Sequence, residues 1–389
     1  MSVLPRNTPV TVWRGGPEGG NGTRFVPLAA HESLLRVVGG RGDEARDSLT
    51  QWCKTFDPRL QVDGGTYRLM PMIFHRMQQW DVDHDLRPLL KGVYRRSFVE
   101  NSGLIAATAP AIQTLTDRGL APVMFKGAAM VAAGIYPTLA ARPMMDIDIY
   151  VAEHRREAAF EALTDFGWRP DWAPIDPQAV HAAVFRDPSG AGAIDLHWWP
   201  LNDVRTTSSA RALTADLSPA GHLDLAATVP DATAQLIIVL IHGGEPNPEC
   251  PVRWAADALM ILAGDEHVDW ARVVDFARSH QIGLRIRRML ETLEAVVNGT
   301  VPQSVLRELD ALPVWPVEHW ERRMMDSDYS SRAMALSKLI VAESAADRTV
   351  STPALWIRRV RGYRRSWQVP WLLMPAVAAV KVLRRIGRR

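Results

Sequence analysis

Asp146 and Asp148 stand two residues apart in the run Asp146-Ile147-Asp148-Ile149-Tyr150-Val151, where polar and apolar residues alternate. Such alternation predicts a strand, and side chains i and i+2 of a strand project from one face. Two carboxylates held side by side repel each other unless a cation lies between them. Their hard oxygens suit Mg²⁺, which shares its shell with substrate phosphates. Ile147, Ile149 and Val151 take the opposite face and anchor the strand. Alone, the pair also fits the solvated face of an edge strand. Asp195 adds to it, because it lies in a second apolar strand, Ala193-Ile194-Asp195-Leu196, where an unpaired carboxylate is costly to bury. If the two strands are neighbours, three carboxylates converge. Such a cluster can hold two metal ions, one on a triphosphate and one at an attacking group.

Cations accompany the carboxylates. The short apolar run Ala121-Pro122-Val123-Met124-Phe125 reads as a buried strand and enters Lys126-Gly127 at a strand-to-helix turn. Gly127 permits close approach of a ligand to the backbone, the helix start that follows favours a phosphate, and Lys126 adds a point charge. Arg142, four residues before Asp146, offers a planar fork to the same group. Each of these cations taken singly also reads as an ordinary surface residue. Together with metal-binding carboxylates they form the equipment of phosphoryl transfer. His181, His242 and His280 lack metal-ligand spacing and read as structural, while Trp199, with Trp168 and Trp172, reads as core or pocket wall. Cys53 and Cys250 lie far apart, in no C-x-x-C pair, and imply neither a disulfide framework nor zinc.

The elements that must position these residues divide the chain. Residues 1–30 are rich in Gly and Pro, without a period, and read as a flexible arm. The region 31–115 is helical, with segments at about 34–38, 43–54, 67–79 and 85–117. Pro110 predicts a kink or break in the last of these, and Gly119 a helix stop. A compact β-α-β-α-β-β unit occupies 116–200. Its helices are expected at 128–133 and 153–166 and its strands at 121–125, 146–151, 181–186 and 193–199. Beyond Pro200 the pattern is helical again to about 345, with helices at 232–242, 252–263, 269–280 and 283–298. The fold class expected is α+β, a small mixed sheet flanked by N- and C-terminal helical regions.

A net charge of +2 over 389 residues hides an asymmetry. Ten Lys/Arg and no Asp/Glu fall between Arg358 and Arg389, leaving 35 basic against 43 acidic residues before them, a net −8. The segment 346–389 is therefore a basic amphipathic tail. It is suited to a membrane surface, nucleic-acid phosphates, a protein partner, or the acidic body itself. No signal peptide and no apolar run of about 20 residues is evident. A cytoplasmic location is expected, peripheral at the membrane if the tail docks there.

The residues resemble a known family. Phe125-Lys126-Gly127-Ala128-Ala129, Tyr136-Pro137, Arg142-Pro143-Met144-Met145-Asp146-Ile147-Asp148-Ile149 and Ile194-Asp195-Leu196-His197-Trp198 look like the uncharacterised nucleotidyltransferase family of bacteria, within the polymerase-beta-type superfamily. The resemblance is specific over about 115–200 and looser over the flanks, including Arg253-Trp254-Ala255-Ala256-Asp257. It implies Asp146 and Asp148 as metal ligands, Asp195 as a third carboxylate that aids the acceptor hydroxyl, and Lys126, Gly127 and Arg142 facing the nucleotide. His197 shares a strand face with Asp195 and either orients it, assists proton transfer or is structural. Arg253 and Asp257, four apart on a helix, are support residues or a plain ion pair. Where better-studied members of the superfamily carry Gly-Ser, this chain has Gly127-Ala128.

The expected activity is transfer of a nucleoside monophosphate from an NTP to an unidentified small-molecule, peptide or protein acceptor, with Mg²⁺ or Mn²⁺. Two other readings stay open. The Gly-Ala departure suits a non-catalytic binding or scaffold protein of the same fold, and the Lys-Gly form with the basic tail suits an RNA-modifying nucleotidyltransferase toxin.

Overall fold

Two hydrophobic cores organise the chain, one between helices and one beneath a sheet. The structure is a computed structural model that describes residues 29–171, 181–244, 252–315 and 318. The N-terminal arm up to residue 28, Trp172, Cys250, the end of the predicted C-terminal helical region beyond 315 (Glu318 apart) and the basic tail lie outside the described residues, and α1 begins within the last two residues of the predicted arm.

Four helices come first: α1 (Ala29–Gly39), α2 (Gly42–Thr55), α3 (Gly64–Gln79) and α4 (Arg87–Asp117). Asp63 caps α3 by accepting from the Thr66 amide, and both its oxygens meet the buried His31 ring of α1 at 3.1 and 2.9 Å. α4 buries the stripe Leu104, Ala111, Ile112 and Leu115. The break expected at Pro110 does not occur. Pro110 and Ala106, whose carbonyl the proline leaves unpaired, both lie on the exposed side, where water can satisfy that carbonyl. Gly119 does stop the helix. It takes φ +70°, its amide reaches Thr116 O at 2.8 Å, and the Leu120 amide reaches Leu115 O at 3.0 Å.

The sheet follows: β1 (Val123–Phe125), α5 (Lys126–Ala132), β2 (Ile147–Tyr150), α6 (Arg156–Asp165), β3 (Arg169–Pro170), β4 (Ala182–Arg186) and β5 (Ala193–His197). Next come α7 (Thr207–Leu213), β6 (Leu217–Ala220) and β7 (Leu225–Pro230). The described strands form one seven-stranded mixed sheet in the order β3-β4-β5-β2-β1-β7-β6. β2 runs parallel to β5 and antiparallel to β1, while β1 runs parallel to β7. The fold class is α+β, as the pattern predicts.

The stretch after Pro200 departs from its helical reading, since β6 and β7 lie within it. β7 is Leu225-Ala-Ala-Thr-Val-Pro, poor in β-branched residues, and its partner β1 is about a hundred residues earlier in the chain. β6 is an edge strand and tolerates Pro219 for that reason. The remaining helices are α8 (Ala232–Gly243), α9 (Val252–Ala263), α10 (Trp270–Ser279), α11 (Gly283–Val296) and α12 (Gln303–Asp310). They pack with α1 to α3 in the helical core. Cys53 is buried there, and burial pushes its thiol up to about 11, so it packs as a small apolar group. No described helix is long and apolar enough to cross a membrane.

Candidate active site

The sheet register brings the chemistry together. On the parallel pair β2 and β5, Asp148 lies opposite Asp195 and Tyr150 opposite His197. Residues in register share a face, so Asp148, Asp195 and His197 project together. Ile147, Ile149, Ile194 and Leu196 fill the core on the other side. One ligand atom from each of Asp148, Asp195 and His197 lies within 4.8 Å of the others. The strand neighbourhood on which convergence of Asp195 with Asp148 depends is present. Asp146 sits one residue before β2, half-buried, outside that compact triad.

Two cations of the chain itself meet the carboxylates. Lys126 Nζ stands 2.5 Å from Asp148 Oδ1. Its backbone takes φ +52°, a left-handed conformation that costs a non-glycine residue roughly 1–2 kcal/mol. This sharp turn, where β1 becomes α5, lets the side chain reach β2. His197 is buried, and its Nε2 lies 3.1 Å from both Asp148 Oδ1 and Asp195 Oδ2. Its Nδ1 is buried without a hydrogen-bond partner among the described residues.

Burial raises the Asp148 carboxyl, but the Lys126 charge and the His197 hydrogen bond outweigh it and hold the group well below the usual range. Asp195 is likewise lowered: burial opposes ionisation, and the His197 charge and hydrogen bond prevail. For His197, burial is overcome chiefly by the Asp195 charge, which carries the ring to about 9. Asp146 goes the other way. Burial, then the charges of Asp148 and Asp195, raise it, so negative charge remains in excess at this corner despite Lys126.

Arg142, expected to face the nucleotide, is engaged with a different carboxylate. It is buried, and its fork grips Asp257 of α9, with Nε to Oδ1 at 3.0 Å and Nη2 to Oδ2 at 2.7 Å. Tyr136 Oη donates to the same Asp257 Oδ1 at 2.8 Å. The guanidinium also explains Gly127. A Cβ there would come within 2.4 Å of Arg142 Nη1 and 2.8 Å of its Cζ. Gly127 thus makes room for the clasp between the sheet and α9. The Arg253–Asp257 pair expected on the helix face does not form, because Arg142 and Tyr136 occupy that carboxylate. Arg253, half-buried, makes no hydrogen bond or ion pair among the described residues.

Asn101 was not legible as a site residue. Its Nδ2 donates to the carbonyls of Leu139 (2.6 Å) and Arg142 (2.9 Å), and its Oδ1 accepts from the Met144 amide at 3.0 Å. Ser97 Oγ adds a bond to Ala140 O at 2.8 Å. Together they pin the segment that leads into Asp146. The available signal was an amide on the apolar stripe of α4, three residues before Leu104. Tyr136 belonged to a quoted motif, but only the tertiary structure shows its partner.

The donor set fits a divalent cation. Two carboxylates supply hard oxygens from one face of the sheet, and Asp146 stands close enough for its charge to act with theirs. No curated protein and no solved structure matches the chain. The model of the uncharacterised nucleotidyltransferase family matches residues 66–298, more than half of the chain. That span runs from α3 to α11 and includes the whole sheet, Lys126, the three aspartates, His197, Arg253 and Asp257. The chain therefore belongs to the uncharacterised nucleotidyltransferase family.

Proposed function

We propose that this protein transfers a nucleoside monophosphate from a nucleoside triphosphate to an acceptor and releases pyrophosphate. The observation that carries the reading is the in-register pair Asp148 and Asp195 on adjacent parallel strands, with Asp146 and Lys126 at its edge. A bound Mg²⁺ or Mn²⁺ would neutralise phosphate oxygens and polarise the α-phosphorus. Asp146 and Asp148 would hold that cation, and Asp195 would serve a second one on the acceptor side. Lys126 exchanges its ion pair with Asp148 for phosphate oxygens. Asp195, lowered in pKa, is a better hydrogen-bond acceptor than a strong base, so its part is to orient the attacking hydroxyl. His197 fixes the relative placement of the two carboxylates. The flanking helices supply the acceptor pocket.

The test is incubation with each labelled NTP, Mg²⁺ or Mn²⁺ and a cell lysate, following where label goes. Asp148→Asn and Asp195→Asn are expected to lose on the order of 10²-fold or more of the transfer rate with the fold intact. Undiminished transfer by Asp148→Asn would sink the assignment.

One observation favours a second reading. Lys126 and His197 already neutralise Asp148 and Asp195, as suits a non-catalytic scaffold core that takes up neither cation nor nucleotide. Calorimetry with each NTP and Mn²⁺ separates the two, because a core that neither transfers nor binds NTP supports the non-catalytic reading.

A further inference from the structure

The clasp leaves one guanidinium over. Asp257 lies one helical turn beyond Arg253 on α9 and would be its natural i,i+4 partner. Arg142, from the segment before β2, takes both oxygens of that carboxylate instead, and Tyr136 takes a further lone pair. Arg253 is left half-buried in the first turn of α9, with no hydrogen bond or ion pair among the described residues. Exposed surface arginines without partners are ordinary, because water solvates them. This one is not on open surface. α9 is tied by Asp257 to Arg142, which packs on Gly127, the neighbour of Lys126. That chain of contacts ties α9 to the start of α5, and Arg253 and Asp146 lie close enough for their charges to act on each other.

The charges around Arg253 point the same way. Arg142 and then burial work against its positive charge, Asp257 supports it, Arg68 of α3 opposes it, and Asp146 supports it. Asp257 is already matched by Arg142. Arg253 therefore stands without a carboxylate of its own among the described residues, within reach of the charge of Asp146 and the cluster behind it. A ligand that satisfies both carries several negative charges at one end and accepts a cation at the other. A polyphosphate ester has that form.

We propose that Arg253 receives the outer phosphates of the bound nucleotide. Its planar fork matches two non-bridging oxygens at once, while Lys126 and the aspartates serve the reacting end. This inference rests on the nucleotidyl-transfer reading for the identity of the ligand, but not for the anion contact itself. Sequence reasoning would give the contact to Arg142; the structure assigns it to Arg253, because Arg142 is the guanidinium that holds Asp257 and Arg253 does not.

The experiment is calorimetric titration of the full chain with sodium tripolyphosphate without metal, and with ATP or AMP in the presence of Mg²⁺. Wild type, Arg253→Gln and Arg253→Lys are compared, with thermal melts as a check of folding. Loss of a charge-assisted contact weakens binding on the order of ten- to a hundredfold. That loss is expected for tripolyphosphate and ATP in Arg253→Gln, with a smaller loss in Arg253→Lys and AMP changed less than about twofold. If Arg253→Gln does not fold, Arg253→Lys alone decides, and wild-type affinity in it overturns the proposal. Tripolyphosphate that fails to bind wild type, or binds Arg253→Gln equally, also overturns it. So does an equal loss on AMP. Arg253-dependent binding of tripolyphosphate by a protein that transfers label from no NTP sustains the anion contact and removes the transfer reading.

Discussion

Replacing Asp257 with alanine should destabilise the protein by about 3–5 kcal/mol, the cost of leaving a buried charge without its partner. The reasoning starts from exposure: the Arg142 and Asp257 side chains are only 9% and 5% exposed, so water cannot screen or replace the lost contact. Three hydrogen bonds converge on the carboxylate, two from the Arg142 fork and one from Tyr136. Their loss strands a guanidinium, which is too basic to shed its charge and so escape the penalty. Asp257→Asn keeps the shape and one acceptor oxygen, and should cost less, about 2 kcal/mol. Adding Arg142→Met to Asp257→Ala removes the orphaned charge and should recover part of the loss, because removing both partners of a buried pair is often nearly neutral. Urea denaturation followed by tryptophan fluorescence, read as a midpoint shift at constant m, measures all three. A loss under about 1 kcal/mol in Asp257→Ala, or a double variant less stable than the single one, would refute the clasp as described.

Other consequences follow from single contacts. Gly127→Ala places a methyl where Arg142 lies and should cost about 1–3 kcal/mol and weaken NTP binding, checked by melts and calorimetry on one preparation. Asn101→Ala releases the Leu139 and Arg142 carbonyls and the Met144 amide together. A loss of about 2–4 kcal/mol is expected from three contacts of ordinary strength, with faster hydrogen exchange at the Met144 amide if Asn101 is what pins it. The Asp63 carboxyl gives a pH signature. Burial would raise it, yet hydrogen bonds from His31 and Thr66 and the His31 charge hold it at about 2, below the usual 3.8. A depressed folded pKa means that its contribution to stability is complete above the unfolded value and is lost as pH falls toward 2. Asp63→Asn should therefore trail wild type at pH 6 and converge with it in that acid window. The margin is trimmed by solvent, since Asp63 is 37% exposed, and a gap that persists unchanged at pH 2 would contradict the assignment.

Local patterns in the chain determined a good deal. The alternation through Asp146-Ile147-Asp148-Ile149 announces a strand, because the period of a strand is set by backbone geometry alone, and β2 forms from Ile147 onward with Asp146 one residue ahead of it. Gly119, Gly134 and Gly167 mark ends of elements for a similar reason: each takes positive φ, which side chains resist. What only the tertiary structure decided were the pairings between distant segments. β7 joins β1 across about a hundred residues, and its alanine-rich pattern carries no mark of that partner. Asp195 meets Asp148 only because β5 lies parallel to β2 in that register. Arg142 and Arg253 are the sharpest case. Spacing favours Arg253 as the partner of Asp257, yet Arg142, remote in sequence, holds it. A buried bidentate pair outweighs a helix-face contact worth a few tenths of a kcal/mol. Which guanidinium holds Asp257 and which does not depends on burial and distance, and neither is written in the order of residues.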